Sequence, residues 1–161
     1  MADGERNKVV VRQHFKALAS GDFSDLERIH DPDGRNHAPA PFDLSEWPSE
    51  GNPFGPEEAK ATFEWLRRGF PDLTMTIEDL ISEDDRVVAR IRLVGTHTGS
   101  LGPLPPSGRK TDVEHIHIFR LAGGRIIEHW AVREDLKGLL QTGVISPPGP
   151  SRQAVPSASR T

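Results

Sequence analysis

Histidine is the residue type in this sequence that is best suited to acid/base chemistry. Five of the 7 histidines lie in or beside the predicted strands or in a long proline-rich loop, namely His37, His97, His115, His117 and His129. Because side chains alternate along a strand, His115 and His117 share a face with Phe119. A neutral imidazole both accepts and donates a proton, which suits proton removal next to a carbonyl and proton return to an oxyanion. The pattern therefore favours a histidine-based site.

The pairing of the last two predicted strands decides whether these histidines meet. A three-residue hairpin loop at 122–124 is favoured, because glycine-containing hairpin loops of this length are common. It pairs His117 with His129, His115 with Ala131, and Phe119 with Ile127. A two-residue turn, which shifts the pairing, is the alternative. In the favoured register the imidazoles are neighbours, and this proximity together with burial is expected to keep them neutral.

The histidines can also be explained without acid/base catalysis. Each could satisfy hydrogen bonds within a half-buried sheet, as buried polar groups usually do. A His-x-His pair with a third histidine on the next strand is also an acceptable zinc or iron site, although no carboxylate is expected on the same face. The sequence contains no phosphate-binding, dinucleotide-binding or nucleophile-elbow motif. We therefore predict neither a metal nor a cofactor.

The composition narrows the class of protein. The 161 residues are enough for one domain, and the formal net charge of −4 argues against a nucleic-acid-binding protein. The absence of cysteine excludes thiol nucleophiles and disulfides. No apolar stretch approaches the ~20 residues of a membrane span, and the first residues lack the layout of a secretory signal. A cytoplasmic protein without membrane or nucleic-acid partners is expected.

Hydrophobic periodicity predicts helices followed by strands. The predicted helices cover 5–20, 24–29, 56–70 and 134–141, and the predicted strands cover 73–81, 86–98, 110–121 and 125–133. This order indicates an α+β fold with the helices packed on one face of a curved antiparallel sheet. Such a sheet leaves a cone-shaped cavity for a small apolar molecule. His14 and His30, on or near the first two helices, are expected to be surface residues.

Two stretches lack this periodicity. The segment 31–56 is rich in proline and carries Phe42 and Trp47, which are expected to close the cavity as a lid. A loop that packs on the core for stability is the alternative. Residues 145–161 are rich in proline and serine and are expected to form a flexible tail, so the predicted domain spans 1–144.

Several motifs resemble a known family. They are FPDL, GTHTG, the P-P-S-G stretch and GRI-x-EHW, within a similarity that extends from about Asn7 to Val144. On these motifs the chain resembles the SnoaL-like polyketide cyclases, or ester cyclases, of the NTF2-like superfamily. The resemblance implies an α+β cone, a dimer joined through its sheets, and cofactor-free aldol closure of a polyketide-derived ligand by acid/base residues in the cone.

The resemblance also implies which residues act, and this chain departs from it at one position. His37, His117 and His129 match histidine or polar positions of the family. The family's proposed acid/base aspartate follows EHW, where this chain carries Ala131. Alanine cannot transfer a proton. Either His117 and His129 replace the aspartate, or the reaction differs, or the cavity only binds its ligand.

The leading hypothesis is a cofactor-independent cyclase or isomerase that acts on a polyketide-like secondary metabolite. In it, His117 is the general base, His129 and His115 polarise the carbonyl or hold the enolate, and His37 donates a proton from the loop. The predicted ligand contacts are Trp47, Phe42, Phe63, Trp65, Phe119, Ala131 and His97. The alternatives are a non-catalytic small-molecule-binding protein, a SnoaL-like hydroxylase, and a metal-dependent oxygenase or hydrolase.

The quaternary structure expected from the resemblance is a homodimer formed through the sheet. Glu114, Ile116 and Ile118 are predicted to lie on its outer face, where they would suit such a contact. Isolated apolar residues are also common on the surfaces of monomers.

Overall fold

The structure is a computed structural model that describes residues 3–38, 52–147 and 149. Within them the helices are α1 (Asp3–Ser20), α2 (Leu26–Ile29), α3 (Pro56–Gly69) and α4 (Asp135–Thr142), and the strands are β1 (His30–Asn36), β2 (Asn52–Pro53), β3 (Thr74–Glu83), β4 (Arg86–Thr96), β5 (Lys110–Ala122) and β6 (Arg125–Arg133). The predicted α+β class is confirmed. The predicted lid residues Phe42 and Trp47, and most of the predicted tail, lie outside the described residues.

The two long helices pack their apolar faces into the core. α1 buries Val11, Phe15 and Leu18, as their spacing predicts, and it ends before Gly21, whose φ of +75° is readily adopted by glycine. α3 begins at Pro56, because the fixed φ of proline suits the first turn of a helix. Together the two helices form the side of the cavity that faces the sheet.

The strand order of the sheet in the described part of the chain is β2-β1-β6-β5-β4-β3. Strands β3 to β6 pair antiparallel with their neighbours in sequence, as predicted. All of β1 except its first residue lies within the predicted loop 31–56, and β1 pairs parallel with β6. This corrects the expectation of an irregular segment and of an all-antiparallel sheet. Its sequence, HDPDGRN, is polar and contains proline and glycine, so hydrophobic alternation does not reveal it.

The predicted register of the last hairpin is wrong. The turn has two residues, Gly123–Gly124, both with positive φ. A β-bulge then adds one residue to β6, so that His117 lies opposite Ala131 and Phe119 lies opposite His129. His117 and His129 are therefore one diagonal step apart on the same face of the sheet, where long side chains still reach each other.

The two faces of the sheet differ in chemistry. The concave face carries the core, in which Val87, Ile91 and Phe119 are fully buried. The outer face carries exposed ion pairs, such as that of Arg92 with Asp112. The inward-facing histidines of β5 and β6 therefore lie on the same side of the sheet as the core.

The described residues include no helix that is long and apolar enough to cross a membrane.

Candidate active site

A cavity of about 180 Å³ lies between the concave face of the sheet and the helices. Its wall is mainly apolar, and Phe63, Trp65, Phe70, Leu93 and Val113 contribute to it. The histidines in the wall are His14, His97, His115, His117 and His129. A concave, mostly apolar space with a few polar groups is the usual form of a small-molecule site.

His117 and His129 belong to a chain of hydrogen bonds at this wall. Nδ1 of His117 lies 2.9 Å from Nε2 of His129, and Nδ1 of His129 lies 2.9 Å from Oδ1 of Asn36. The same oxygen accepts the backbone N–H of Ala38 at 3.1 Å. Asn36 reaches the ring because β1 pairs with β6 at that position, Asn36 beside His129. Three neighbouring strands thus position three linked side chains.

The directions of these hydrogen bonds determine which nitrogen of each imidazole carries the proton. The N–H of Ala38 identifies the Asn36 atom as the amide oxygen, which accepts only, so Nδ1 of His129 donates to it. Neutral His129 then accepts at Nε2, and Nδ1 of His117 must donate to it. The lone pair of His117 is left on Nε2, a buried atom without a hydrogen-bond partner among the described residues. Nε2 of His117 is therefore a basic nitrogen that is available to a ligand in the cavity.

Burial keeps this pair neutral. The pKa of His117 lies well below its ordinary value of 6.5, first because of burial and then because of the neighbouring His129. The pKa of His129 is lowered in the same way, first by burial and then by His14. Burial and the positive charge of Arg133 lower the pKa of His115 to about 4. All three rings are unprotonated at neutral pH, as a general base must be.

A second histidine pair lies beside the first. Nδ1 of His14 is 3.0 Å from Nε2 of His30, and Nδ1 of His30 is 3.2 Å from the carbonyl oxygen of Phe54. Because a carbonyl only accepts, His30 donates to Phe54 and His14 donates to His30, so the lone pair of His14 is on Nε2. His14 and His30 are 2% and 0% exposed. The expectation that they are surface residues is wrong.

Arg133 places a positive charge in the cavity wall beside His115. His115 and Arg133 are paired across β5 and β6, and both line the cavity. The side chain of Arg133 is 8% exposed, and its Nε lies 3.2 Å from Oδ1 of Asp135. The field of this guanidinium contributes to the lowered pKa values of His115 and His117. A negative charge that develops on a ligand near these residues would be stabilised.

One of the predicted catalytic residues lies away from the cavity. The ring of His37 stacks on Trp130 with 4.7 Å between the centroids, and Nε2 of His37 lies 3.2 Å from Oε1 of Glu128. Asn36, the preceding residue, faces inward, so His37 and its two partners lie on the outer face of the sheet. His129 does lie in the cavity wall, but both of its ring nitrogens are engaged, which leaves it neither a donor nor an acceptor for a ligand.

Three of the predicted ligand contacts line the cavity, whereas Phe119 and Ala131 are not among its lining residues. Phe63, Trp65 and His97 line it directly. Phe119 is fully buried and stacks on the ring of His129 at 5.0 Å, so it supports the imidazoles from behind. Ala131 lies opposite His117 in the sheet. Among residues 3–38, 52–147 and 149, no group of three or more histidine, aspartate or glutamate side chains is arranged to hold a metal ion.

Comparison with known proteins identifies the family of this chain. A family model, the SnoaL-like polyketide cyclases, matches residues 8–142. The chain belongs to this family. The aklanonic acid methyl ester cyclase DnrD of Streptomyces peucetius is 34% identical to it over 77 residues, which make up 47% of this chain and 52% of DnrD. The chain thus spans about half the length of this curated relative.

Two other similar proteins match over longer stretches of this chain. The nogalonic acid methyl ester cyclase of Streptomyces nogalater is 29% identical over 114 residues, 70% of this chain and 79% of that protein. The structure of IdmH from Streptomyces antibioticus superimposes with a TM-score of 0.72 at 28% identity, and the match covers 85% of this chain and 98% of IdmH. The predicted NTF2-like architecture is confirmed by this structural similarity.

The SnoaL-like family makes the position of Ala131 informative. The resemblance implies a carboxylate at this position, and the structure places the position directly opposite His117. In this chain a methyl group stands there, so the titratable side chains that contact His117 are imidazoles. Among the described residues, acid/base chemistry at His117 itself therefore depends on histidine. The carboxylates that line the cavity, Glu134 and Asp135, follow the end of β6.

Proposed function

We propose that this SnoaL-like protein is a cofactor-independent cyclase or isomerase of a polyketide-like molecule, with His117 as its general base. The observation that carries the proposal is the lone pair on Nε2 of His117. This nitrogen is buried in the wall of an apolar cavity and has no partner in the described part of the protein. Its orientation is fixed by His129 and Asn36 through the other ring nitrogen.

The proposed reaction is an intramolecular aldol closure. Nε2 of His117 removes a proton from the carbon next to a carbonyl, and the resulting enolate attacks a second carbonyl carbon of the same molecule. A carbon–carbon bond forms, and the π electrons of the attacked carbonyl become an alkoxide lone pair. The His117 imidazolium then returns the proton to the alkoxide. Atoms and electrons balance without a further reactant, so the product is an isomer of the substrate.

The surrounding residues support this chemistry in different ways. His129 is a positioning residue, because both of its ring nitrogens are engaged. Asn36 holds His129 through Oδ1 and also lines the cavity. His115 and Arg133 lie in the wall near the base and suit the oxygen on which negative charge develops. A preorganised donor of this kind typically contributes about 3 kcal/mol to transition-state stabilisation.

The test uses the compounds in the names of the two relatives, aklanonic acid methyl ester and nogalonic acid methyl ester. Each is incubated with the purified protein without added cofactor, and the recovered molecule is analysed by mass spectrometry and NMR. We expect a cyclised product of unchanged mass. A ligand that binds and is recovered unchanged would instead support the binding protein that Ala131 makes the main alternative, and a product heavier by one oxygen atom would indicate a hydroxylase.

We also propose that two copies of the chain associate through the outer face of the sheet. Ile116 and Val132 are direct partners on this face, with exposed fractions of 47% and 77%. Ile81 on β3 is 63% exposed. Exposed apolar side chains that lie beside positively and negatively charged side chains suit a contact with a second copy of the same surface.

The proposed dimer predicts the effect of a charge at Val132. Val132→Glu should weaken self-association at least tenfold, because the carboxylate would be buried without a partner, whereas Val132→Thr of similar shape should have a smaller effect. Sedimentation velocity over a range of protein concentrations measures both. A wild-type protein that sediments as a monomer at every concentration would exclude this interface.

A further inference from the structure

One polar group of the cavity wall has no part in the reaction proposed above, namely the imidazole of His97. This residue is 0% exposed and lines the cavity. Its Nε2 is buried and has no hydrogen-bond partner among the described residues. Buried polar atoms are nearly always hydrogen-bonded, and one that is not destabilises the protein. A ligand that supplies the missing partner would remove this cost.

The loop that carries His97 is held tightly against the end of α3. The backbone N–H groups of Thr98 and Gly99 both donate to the carbonyl oxygen of Gly69, at 3.2 and 3.1 Å. Any side chain at Gly99 would overlap the carbonyl oxygen of Arg68, so the two segments approach as closely as glycine permits. The ring of His97 is therefore held in place before a ligand arrives, which reduces the entropy lost on binding.

Ser107 determines which hydrogen-bonding role Nε2 of His97 plays. Oγ of Ser107 lies 3.2 Å from Nδ1 of His97 and accepts the backbone N–H of Arg109 at 3.3 Å. The described residues offer the Ser107 hydroxyl hydrogen no acceptor other than this Nδ1. When Ser107 donates to Nδ1, the proton of neutral His97 lies on Nε2. In this tautomer His97 presents a donor to the cavity, whereas His117 presents an acceptor.

The two residues lie toward opposite ends of the cavity. His117 is paired with Ala89 on β4, and His97 follows the end of the same strand. The chain between Ala89 and His97 would be ~26 Å long if fully extended, and the concave curvature of the sheet shortens the distance between the two rings. Leu93 and Val113 form part of the apolar wall between them. A ligand that engages both residues is therefore elongated and apolar in its middle.

We propose that the Nε2–H of His97 binds a carbonyl or phenol oxygen of an aromatic ligand, at the end of the cavity that is remote from His117. The inference rests on the proposed function, because it requires a cavity that binds a small molecule. It adds a specificity determinant to that function. A ligand with an oxygen acceptor at this end binds more tightly than one with a C–H group in its place.

The probes that test this proposal are 9-fluorenone and fluorene, tricyclic molecules of nearly the same shape that differ by one carbonyl oxygen. The affinity of each is measured by quenching of tryptophan fluorescence for the wild-type protein and for His97→Phe and Ser107→Ala. The preference of the wild type for fluorenone over fluorene should fall by about fivefold to tenfold in His97→Phe, as expected for the loss of one neutral hydrogen bond. Ser107→Ala, which keeps the ring but frees its tautomer, should reduce the preference by less.

A second measurement does not depend on the folding of His97→Phe. In long-range 1H–15N spectra of the wild type, fluorenone should shift the Nε2 signal of His97, and fluorene should not. Binding of both probes with the same preference in wild type and variants, or an unshifted Nε2 signal, would overturn the role of His97 and leave the cavity intact. Failure of the wild type to bind either probe would overturn the ligand-binding cavity itself, and with it this subsite.

Discussion

Replacing His117 with asparagine is expected to lower turnover about 10²–10⁴-fold, the usual contribution of a positioned general base. The amide nitrogen of asparagine matches the position of Nδ1 of histidine, so His117→Asn keeps a donor for Nε2 of His129. It has no equivalent of Nε2 and cannot accept the proton of the substrate. The free energy of unfolding should therefore change by less than about 1 kcal/mol, because no buried atom loses its partner.

His117→Ala provides the contrast with this variant. It removes the base and also leaves Nε2 of His129 buried without a donor, so turnover and stability should both fall, the latter by about 1–3 kcal/mol. Urea unfolding and steady-state kinetics on the same preparations separate the two effects. A His117→Asn protein that retains wild-type turnover would exclude His117 as the base.

His37→Ala tests whether His37 lies outside the site, as in the structure, or takes part in catalysis, as the sequence suggested. The sequence suggested that His37 donates a proton from the loop side. Because the ring of His37 stacks on Trp130 on the outer face of the sheet, its removal is expected to leave kcat and KM close to those of the wild type. A loss of turnover comparable to that of His117→Asn would place His37 in the reaction after all and would contradict this arrangement.

The antiparallel half of the fold was predictable because its strands alternate in hydrophobicity. Val113, His115, His117 and Phe119 share a face in any register, so their common orientation followed from the sequence alone. The pairing with β6 did not, because the turn has two residues where three were predicted, and a bulge farther along the strand shifts the pairing once more. His117 and His129 meet by a diagonal contact between long side chains, which makes their proximity insensitive to this error.

The other half of the site was missed for two different reasons. His14 carried a usable signal, since it falls on the apolar face of α1 between Val11 and Leu18 at helical spacing. β1 carried none, because its inward residues His30 and Asn36 are polar and are stabilised by hydrogen bonds. Patterns of hydrophobicity detect burial of apolar side chains, and they do not detect buried polar side chains whose partners lie far away in the sequence.

Acid is expected to unfold this protein more readily than most, because its cavity buries several neutral histidines. The pKa of His30 is lowered from 6.5 to about 4 by burial. The unfolded chain therefore binds a proton at His30 that the folded chain does not, and stability falls as the pH drops through the interval from 6.5 towards 4. At about 1.4 kcal/mol per pH unit, this residue alone accounts for a loss of roughly 2 kcal/mol by pH 5.

Other buried histidines act in the same direction over the same interval. Burial lowers the pKa values of His14, His117 and His129 well below 6.5, so each of them adds to the loss of stability in acid. Carboxylates with lowered pKa values, such as Asp72 and Asp112, act only at lower pH. Urea unfolding at pH values from 8 to 5 measures the effect.

A double variant of the second histidine pair isolates the cause of this acid sensitivity. His14→Phe/His30→Leu removes both partners of the buried hydrogen bond together, and with them two groups that take up protons on unfolding. The slope of the unfolding free energy against pH between 6.5 and 5 should fall by about 2.8 kcal/mol per pH unit at most. A wild-type slope near zero would mean that the folded state binds as many protons as the unfolded state over this interval, and it would exclude the lowered pKa values of the buried histidines.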